Sequence, residues 1–146
     1  MQCMSSFTYP VTIGVDTAGF YLVTFPDIPE AGTDAETREE ALGAAPDALI
    51  TTLGGYIAAR RAIPSPSPAT SGQVMVTLPV LAAAKLALYE AMQTAKVTNV
   101  ALGQRLGISE GAVRRLLDLD HRSHIDHVEA ALAALGCRLV VEVKAA

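Results

Sequence analysis

The chain has 146 residues, of which 51% are hydrophobic, so it is long enough to bury a core without disulfides or metal ions. Its net charge of −4 argues against a nucleic-acid partner for the chain as a whole, and its most apolar stretch, residues 80–92, is too short to span a bilayer. The opening residues carry no basic region or long apolar run, so we expect a cytoplasmic protein in which Cys3 and Cys137 stay reduced.

The charge is divided unevenly between the two halves. Residues 1–68 carry three basic and eight acidic side chains, a net charge of −5, whereas residues 69–146 carry eight basic and seven acidic side chains, a net charge of +1. Within residues 96–115 the net charge is +3. This asymmetry indicates two surfaces with different partners, although an acidic half can also serve solubility alone.

The first half predicts a small antiparallel sheet. Apolar side chains alternate along residues 7–15, residues 20–25 are mostly apolar, and a turn lies between them, so these segments are expected to form a β-hairpin. Two prolines end the second strand because proline has no N–H group to donate. A short third strand is expected around residues 31–35.

A helix is predicted to begin at Thr37, which opens a capping box with Glu40. Its apolar residues recur at helical spacing as far as Ile57. Pro46 lies inside this helix, where its ring would clash with the carbonyl of Leu42 and remove one hydrogen bond. We therefore expect either a kink at Pro46 or a break into two helices.

The segment after this helix is rich in proline and serine. Residues 63–72 predict an extended, polyproline-like linker. Residues 73–78 predict one more strand, which we expect to return to the first sheet. The domain boundary is therefore placed after this strand, dividing the chain into residues 1–78 and 79–146.

Residues 98–117 predict two short helices joined by a tight turn. Thr98 and Ser109 are suited to cap the two helices, and Gly107 supplies the left-handed residue that ends the first. Gly103 costs about 1 kcal/mol relative to alanine inside a helix, which indicates that the second helix crosses closely there. This spacing fits a DNA-binding helix-turn-helix with residues 109–117 as its recognition helix, and it fits an ordinary helical hairpin equally well. The twenty residues also resemble the phage-repressor type of helix-turn-helix.

The chain ends with a predicted helix and strand. Ser123 is expected to cap the helix and Gly136 to close it. The terminal strand has no local partner, and an unpaired apolar edge promotes association. We therefore expect it to pair with the same strand of a second copy, through Leu139, Val141 and Val143, to give a two-fold homodimer, with a tetramer of paired dimers as the alternative.

Two patterns suggest catalysis or metal binding, and neither is favoured. The G-x-S-x-G pattern at residues 107–111 needs a strand before the serine in a hydrolase, whereas helices flank Ser109 here. Three histidines recur at every third position after the helix-turn-helix: His121, His124 and His127. A helix start at Ser123 leaves at most one helically spaced pair, whereas a zinc site needs three or four ligands. We expect no catalytic residue, no metal and no cofactor.

Two sets of residues carry a family resemblance that covers nearly the whole chain. In the first half they are residues 9–15, Gly19-Phe20-Tyr21, Phe25-Pro26-Asp27-Ile28-Pro29, Thr37, Glu40, Ala41, Ile63, Pro64 and Pro66. In the second half they are Ala84-Lys85-Leu86, Arg114-Arg115-Leu116-Leu117, His121-Arg122-Ser123, Leu132, Leu135 and Gly136. Together they resemble the HicB family of antitoxins, in the subgroup that carries a helix-turn-helix.

The resemblance implies an α+β chain whose first domain is a reduced ribonuclease-H-like sheet with a helix and without catalysis. In the family this domain covers HicA, a small basic toxin that cleaves mRNA, and the acidic first half suits such a partner. The candidate toxin contacts are Phe25, Asp27 and Ile28, which are expected on an exposed strand edge and the loop after it. The alternative for Phe25 is a place in the hairpin core.

The resemblance further implies that the second domain binds double-stranded operator DNA upstream of its own operon. Asn99 would contact a phosphate, and five residues of the recognition helix would face the major groove: Ser109, Glu110, Gly111, Arg114 and Arg115. Lys96, Arg105 and Arg122 would be further phosphate contacts or else a solvated face.

The predicted function is that of an antitoxin of a type II toxin–antitoxin system that also represses its own operon. One alternative is a HicB-like transcriptional regulator without a toxin partner. A ribonuclease-H-like nuclease is a disfavoured alternative of another class, which RNA cleavage with magnesium or manganese would reveal.

Overall fold

A computed structural model describes residues 7–145 of the chain. Its elements in chain order are β1 Thr8–Val15, β2 Tyr21–Thr24, β3 Gly32–Ala35, α1 Arg38–Ala58, β4 Val74–Thr77, α2 Val80–Ala95, α3 Asn99–Leu106, α4 Glu110–Leu117 and α5 Ile125–Ala134. The described residues divide into two compact units, 7–83 and 84–145, and the division lies within α2. The predicted mixture of a sheet with helices is confirmed.

The first unit contains one four-stranded sheet in the order β3-β2-β1-β4, and all neighbouring strands are antiparallel. β1 and β2 form the predicted hairpin, with Ile13 opposite Val23. The turn between them is held by Asp16, whose carboxylate accepts hydrogen bonds from two backbone N–H groups at 2.9 Å. β4 returns to pair with β1, where Val76 lies opposite Tyr9. The predicted third and fourth strands are therefore confirmed.

The core of the first unit lies between this sheet and α1. Tyr9, Val11 and Val23 are fully buried at alternate strand positions, as expected for the covered face of a half-buried sheet. Leu49 and Leu53, one helical turn apart on α1, are fully buried as well. Burial of side chains of this size contributes about 1.5–3 kcal/mol each, so this interface accounts for much of the stability of the unit.

α1 is a single helix through Pro46, so the predicted alternative of a break into two helices is wrong, while the alternative of a kink stays a prediction. Its start is as predicted, because Thr37 Oγ1 accepts a hydrogen bond of 3.2 Å from the N–H of Glu40. An interior proline costs about 3 kcal/mol in an isolated helix. Here Ala45 and Leu49 on either side of it are both fully buried, and their packing offsets that cost.

Hydrogen bonds hold the proline-rich linker against the rest of the first unit. The hydroxyl of Tyr9 donates to the carbonyl oxygen of Pro64 at 2.7 Å. The carboxylate of Asp27 accepts two hydrogen bonds from Ser67, from its N–H at 2.8 Å and from its hydroxyl at 2.6 Å. Residues 63–70 have no helix or strand, as predicted, but these bonds make them part of the folded surface.

The second unit packs α3, α4 and α5 around fully buried apolar side chains, among them Leu102, Val113 and Val128. The N-cap of α5 is His124 and makes no side-chain capping bond, so the prediction that Ser123 caps this helix is wrong. The hydroxyl of Ser123 instead donates to the carbonyl oxygen of Arg115 at 3.3 Å. Across residues 7–145, no helix is both long enough and apolar enough to cross a membrane.

Residues 138–143 are predicted to form a strand by pairing with a second copy, and in the single chain they form none. A strand requires a hydrogen-bonded neighbour, and the sheet of the first unit consists of β1–β4 alone among the described residues. Val141 and Val143 are 63% and 92% exposed, and Leu139 is half-buried. Pairing of this segment with a second copy stays a prediction.

Candidate nucleic-acid interface

α3 and α4 form two capped helices around a left-handed glycine. Thr98 Oγ1 accepts a hydrogen bond from Ala101 N–H, and Ser109 Oγ accepts one from Ala112 N–H, both at 3.1 Å. Gly107 has φ 69° and ψ 32°, a conformation that favours glycine. The predicted helices, caps and turn are confirmed, and Ser109 acts as a helix cap between two helices rather than as a nucleophile after a strand.

Gly103 marks the closest approach within this motif. A Cβ atom at Gly103 would lie 2.7 Å from the carbonyl oxygen of Ile108 and 3.5 Å from Cγ2 of Val113. The close approach that the glycine predicted is therefore present. Its nearest atom belongs to the turn before α4, not to α4 itself.

α4 has one buried face and one exposed face. Val113, Leu116 and Leu117 are buried, which fixes the rotation of the helix about its axis. The predicted base-contacting residues lie on the other side, where Gly111 is partly exposed and four side chains are exposed: Ser109, Glu110, Arg114 and Arg115. The structure thus brings these five residues together on two turns of one helix.

The two arginines of this face have different neighbours. Arg114 Nη2 lies 3.6 Å from Glu110 Oε2, one helical turn away, in an exposed ion pair. Arg115 extends back along the helix, since a Cβ at Gly111 would lie 3.9 Å from its Nη1. Each guanidinium offers five N–H donors, so both are suited to bind acceptors on a ligand.

The predicted phosphate contacts lie in the second unit, outside α4. Asn99 is the first residue of α3 and is half-buried, whereas Lys96, Arg105 and Arg122 are exposed. Lys96 has φ 54° and lies in the connection between α2 and α3, and Arg122 lies in the loop between α4 and α5. Their exposure is compatible with phosphate contacts and with a solvated face.

Lys85 is a buried cation of this unit whose role sequence reasoning missed. Its side chain is fully buried, and its ammonium donates to three backbone carbonyl oxygens: Arg115 at 2.9 Å, Asp118 at 2.6 Å and His121 at 2.7 Å. Burial lowers the pKa of Lys85, and the nearby charge of Asp118 opposes this shift. The sequence feature that could have revealed this role is the single charged residue in the otherwise apolar stretch 80–88. A charge buried with such a stretch requires hydrogen-bonding partners.

The predicted toxin contacts are mostly in the core. Phe25 is 1% exposed and Ile28 is fully buried, so the expectation that they lie on an exposed strand edge is wrong. The preceding strand, β2, is internal in the sheet because β1 and β3 flank it. Asp27 is half-buried, and its carboxylate is engaged with Ser67.

The exposed surface of the first unit is strongly acidic. Of the acidic side chains in residues 7–68, all except Asp27 are exposed. Four lie close together in sequence where β3 leads into α1: Asp34, Glu36, Glu39 and Glu40. Those at the start of α1 also interact favourably with the helix dipole, so part of this charge stabilises the helix.

A tyrosine, an arginine and a carboxylate join the end of α1 to the loop after β2. The hydroxyl of Tyr56 donates to the carboxylate of Glu30, and Arg61 Nη2 lies 3.2 Å from Glu30 Oε1. The guanidinium of Arg61 also lies 3.8 Å from the centre of the Tyr56 ring. The hydrogen bond from Tyr56 is the main reason that the pKa of Glu30 is lowered.

The histidines do not form a metal site in the described structure. The rings of His124 and His127 meet edge to face, with centroids 5.4 Å apart. Within residues 7–145, no three side chains of the metal-ligating types lie close enough together to hold an ion.

The comparison with protein families decides which class of protein this is. A family model described as a HicB-like antitoxin of bacterial toxin–antitoxin systems matches residues 8–87. The chain belongs to the HicB antitoxin family. The match includes the whole sheet, α1 and the first half of α2.

Curated relatives extend this HicB assignment to the second unit. Antitoxin HicB 1 of Photorhabdus laumondii is 39% identical over 141 residues, which cover 97% of this chain and 90% of the relative. Antitoxin HicB 2 of the same organism is 43% identical over 131 residues, 90% of this chain and 92% of the relative. Antitoxin HicB of Escherichia coli K12 is 40% identical over 131 residues, 90% of this chain and 95% of the relative.

Membership of the HicB family defines the class of activity. These relatives are antitoxins and not enzymes, and this HicB-family chain is accordingly an antitoxin of a toxin–antitoxin system. Such a system implies a toxin as the partner of the chain.

Proposed function

We propose that this antitoxin neutralises a HicA-like mRNA-cleaving toxin and represses its own operon by binding operator DNA as a homodimer. In this proposal residues 1–78 are a reduced ribonuclease-H-like domain that binds the toxin, and residues 79–146 are a phage-repressor-type helix-turn-helix domain. The observation that supports the DNA-binding part of this proposal is the exposed pair Arg114 and Arg115 on α4. This capped helix follows a glycine in the left-handed conformation.

In the DNA complex α4 lies in the major groove. Arg114 and Arg115 donate paired hydrogen bonds to O6 and N7 of guanine, each worth about 1–3 kcal/mol of discrimination against another base. Ser109 and Gly111 let the start of the helix approach the bases closely. Glu110 accepts from cytosine or holds Arg114 in place through their ion pair, and it restricts the sequence because it repels phosphates.

Phosphate contacts supply the remaining affinity. Asn99 lies at the start of α3, where backbone N–H groups and the helix dipole attract an anion. Lys96, Arg105 and Arg122 are exposed cations of the same unit and contact the DNA backbone on either side. The local net charge of +3 in residues 96–115 steers DNA to this unit rather than to the acidic first unit.

Dimerisation is assigned to the terminal segment with Leu139, Val141 and Val143. Its valines are exposed, and alternation along residues 138–143 would place these three side chains on one face of a strand. Two copies of the segment pair across a two-fold axis, which presents two recognition helices to a palindromic operator. A tetramer forms if two such dimers bind each other.

Toxin binding is assigned to the acidic first unit. Its exposed carboxylates attract a basic toxin and hinder the binding of RNA to that toxin. Phe25 and Ile28 are core residues and are not part of the proposed contact surface. Asp27 shapes that surface through its bonds to Ser67.

Gel-shift measurements on DNA from upstream of the chain's own reading frame test the repressor role. The double variant Arg114→Ala with Arg115→Ala is expected to lose the shift while it keeps the fold and oligomeric state of the parent. The matched control is Arg38→Ala with Arg60→Ala, two exposed arginines of the first unit, which should bind as the parent does. Unchanged affinity in the first double variant contradicts the assignment of α4.

Coexpression tests the toxin-binding role. The tagged chain is expected to copurify with the product of a small basic reading frame beside its gene and to relieve the growth arrest that this product causes. A chain that binds the upstream DNA but has no such neighbour would be a HicB-like transcriptional regulator without a toxin.

A further inference from the structure

Lys85 has an unusual environment for a lysine. It is fully buried on α2, and all three protons of its ammonium are directed to backbone carbonyl oxygens at 2.6–2.9 Å. These bonds satisfy the whole donor capacity of the group. A buried cation is retained only where such partners replace water, so the surrounding backbone and the ammonium depend on each other.

The three carbonyls belong to one continuous segment. Arg115 lies in the last turn of α4, and Asp118 and His121 lie in the loop that follows. The carbonyl oxygen of Arg115 also accepts from the hydroxyl of Ser123 at 3.3 Å. Residues 115–123 therefore fold around a single ammonium, which also compensates the negative end of the α4 dipole.

This segment carries side chains of the proposed DNA interface. Arg115 is exposed in the last turn of α4, and Arg122 is exposed in the loop. The carbonyl of Arg115 points inwards to accept the hydrogen bond from Lys85, while the guanidinium of Arg115 stays exposed on the outer face. The loop that presents Arg122 is held on both sides, through His121 and through Ser123.

We propose that Lys85 is a positioning residue for operator binding, which sets the end of the recognition helix and the following loop so that Arg115 and Arg122 engage DNA together. This inference rests on the proposed DNA-binding function. Without the ammonium, three buried carbonyls lose their donors, and the segment has to move to hydrate them. The loop then no longer holds Arg122 in the position, relative to α4, that lets it contact DNA together with Arg115.

The competing explanation is that Lys85 only stabilises the second unit. Leu88→Ala is the matched control, because Leu88 is fully buried one turn further along α2 and its truncation leaves the ammonium in place. Lys85→Met keeps an unbranched side chain, one heavy atom shorter, and removes the charge and the donors. Both variants are compared at a temperature where circular dichroism and NMR spectra of the backbone amides show that each is folded.

The measurement is fluorescence anisotropy with a labelled duplex of the DNA upstream of the chain's own reading frame, over a series of salt concentrations. Lys85→Met is expected to weaken binding roughly 5- to 150-fold, the range for loss of a base-contacting arginine. Its plot of log affinity against log salt concentration should be shallower by about 0.9, the effect of one lost phosphate contact. Leu88→Ala should keep the affinity within about twofold and the slope of the parent, since it leaves every phosphate contact in place.

Equal affinities and equal salt slopes for the two variants overturn the proposal. If the parent chain itself does not bind the duplex, the proposed repressor function fails, and amide hydrogen exchange then tests the positioning role separately. Residues 118–123 should exchange faster in Lys85→Met than in Leu88→Ala, and equal protection overturns the inference. Should Lys85→Met not fold, Lys85→Gln takes its place: its amide can donate only two hydrogen bonds, so one carbonyl still loses its donor, and residues 118–123 should still exchange faster than in Leu88→Ala.

Discussion

The carbonyl oxygen of Ile108 lies where a side chain at Gly103 would have to be, since a Cβ there would come within 2.7 Å of it. The obstructing atom belongs to the backbone of a capped turn, so it cannot move aside as a flexible side chain does. α3 can therefore lie this close to the turn before α4 only because position 103 has no side chain. This contact links a single glycine to the geometry of the proposed DNA-binding motif.

Gly103→Ala is expected to destabilise the second unit by roughly 1–2 kcal/mol, because the clash outweighs the gain of up to about 1 kcal/mol in helix propensity. Gly111→Ala is the control in the neighbouring helix, where the nearest atoms to a Cβ lie 3.9 Å away. It should be neutral or stabilising by up to about 1 kcal/mol. Urea denaturation measures the free energy of unfolding of both variants, and a Gly103→Ala variant as stable as Gly111→Ala contradicts the steric account.

The Glu30–Tyr56 hydrogen bond predicts a pH dependence of the first unit. The bond lowers the pKa of Glu30 below the ordinary value of 4.5, so its stabilising effect is fully present above pH 4.5 and is lost as the pH falls through the lowered value. Burial and the same hydrogen bond raise the pKa of Tyr56 above 10.0. The stability that the protonated Tyr56 hydroxyl contributes is therefore fully present below pH 10 and is lost as the pH rises through the raised value.

An NMR titration of the Glu30 carboxyl group checks this interpretation. Tyr56→Phe should move the pKa of Glu30 upwards and flatten the acid limb of unfolding free energy against pH. Tyr21→Phe removes a hydroxyl from a half-buried tyrosine of β2 and serves as the control, which should leave the titration of Glu30 unchanged. A Tyr56→Phe variant with the parent titration would show that the hydrogen bond does not set this pKa.

The exposed terminal valines predict a change of oligomeric state. Val141→Glu places two like charges across the proposed two-fold strand pair, where they repel each other and replace an apolar contact. Sedimentation is expected to show a dimer for the parent and a monomer for the variant, with weaker operator binding because one half-site contact is lost. Val15→Glu, at a 60% exposed valine of β1, should stay dimeric. A monomeric parent, or a dimeric Val141→Glu variant, excludes the terminal strand as the dimer interface.

Local sequence patterns determined most elements of the fold. The capping residues Thr37, Thr98 and Ser109 each bond an N–H group three residues ahead, so the sequence alone reveals the interaction. The alternation along β1 and the left-handed glycine at position 107 are local in the same sense. The exposed arginines of α4 were predictable as well, because helical spacing separates them from the buried positions Val113 and Leu116.

Tertiary structure decided the features that depend on distant residues. Phe25 is 1% exposed because its side chain lies in the packed core of the first unit, and Pro46 is accommodated because α1 packs on the sheet. The carbonyl partners of Lys85 lie 30–36 positions away in the chain. Ser123 bonds Arg115 instead of capping α5. Short-range patterns establish which helices and strands form, whereas the burial of a side chain and its polar partners are established only when those elements pack.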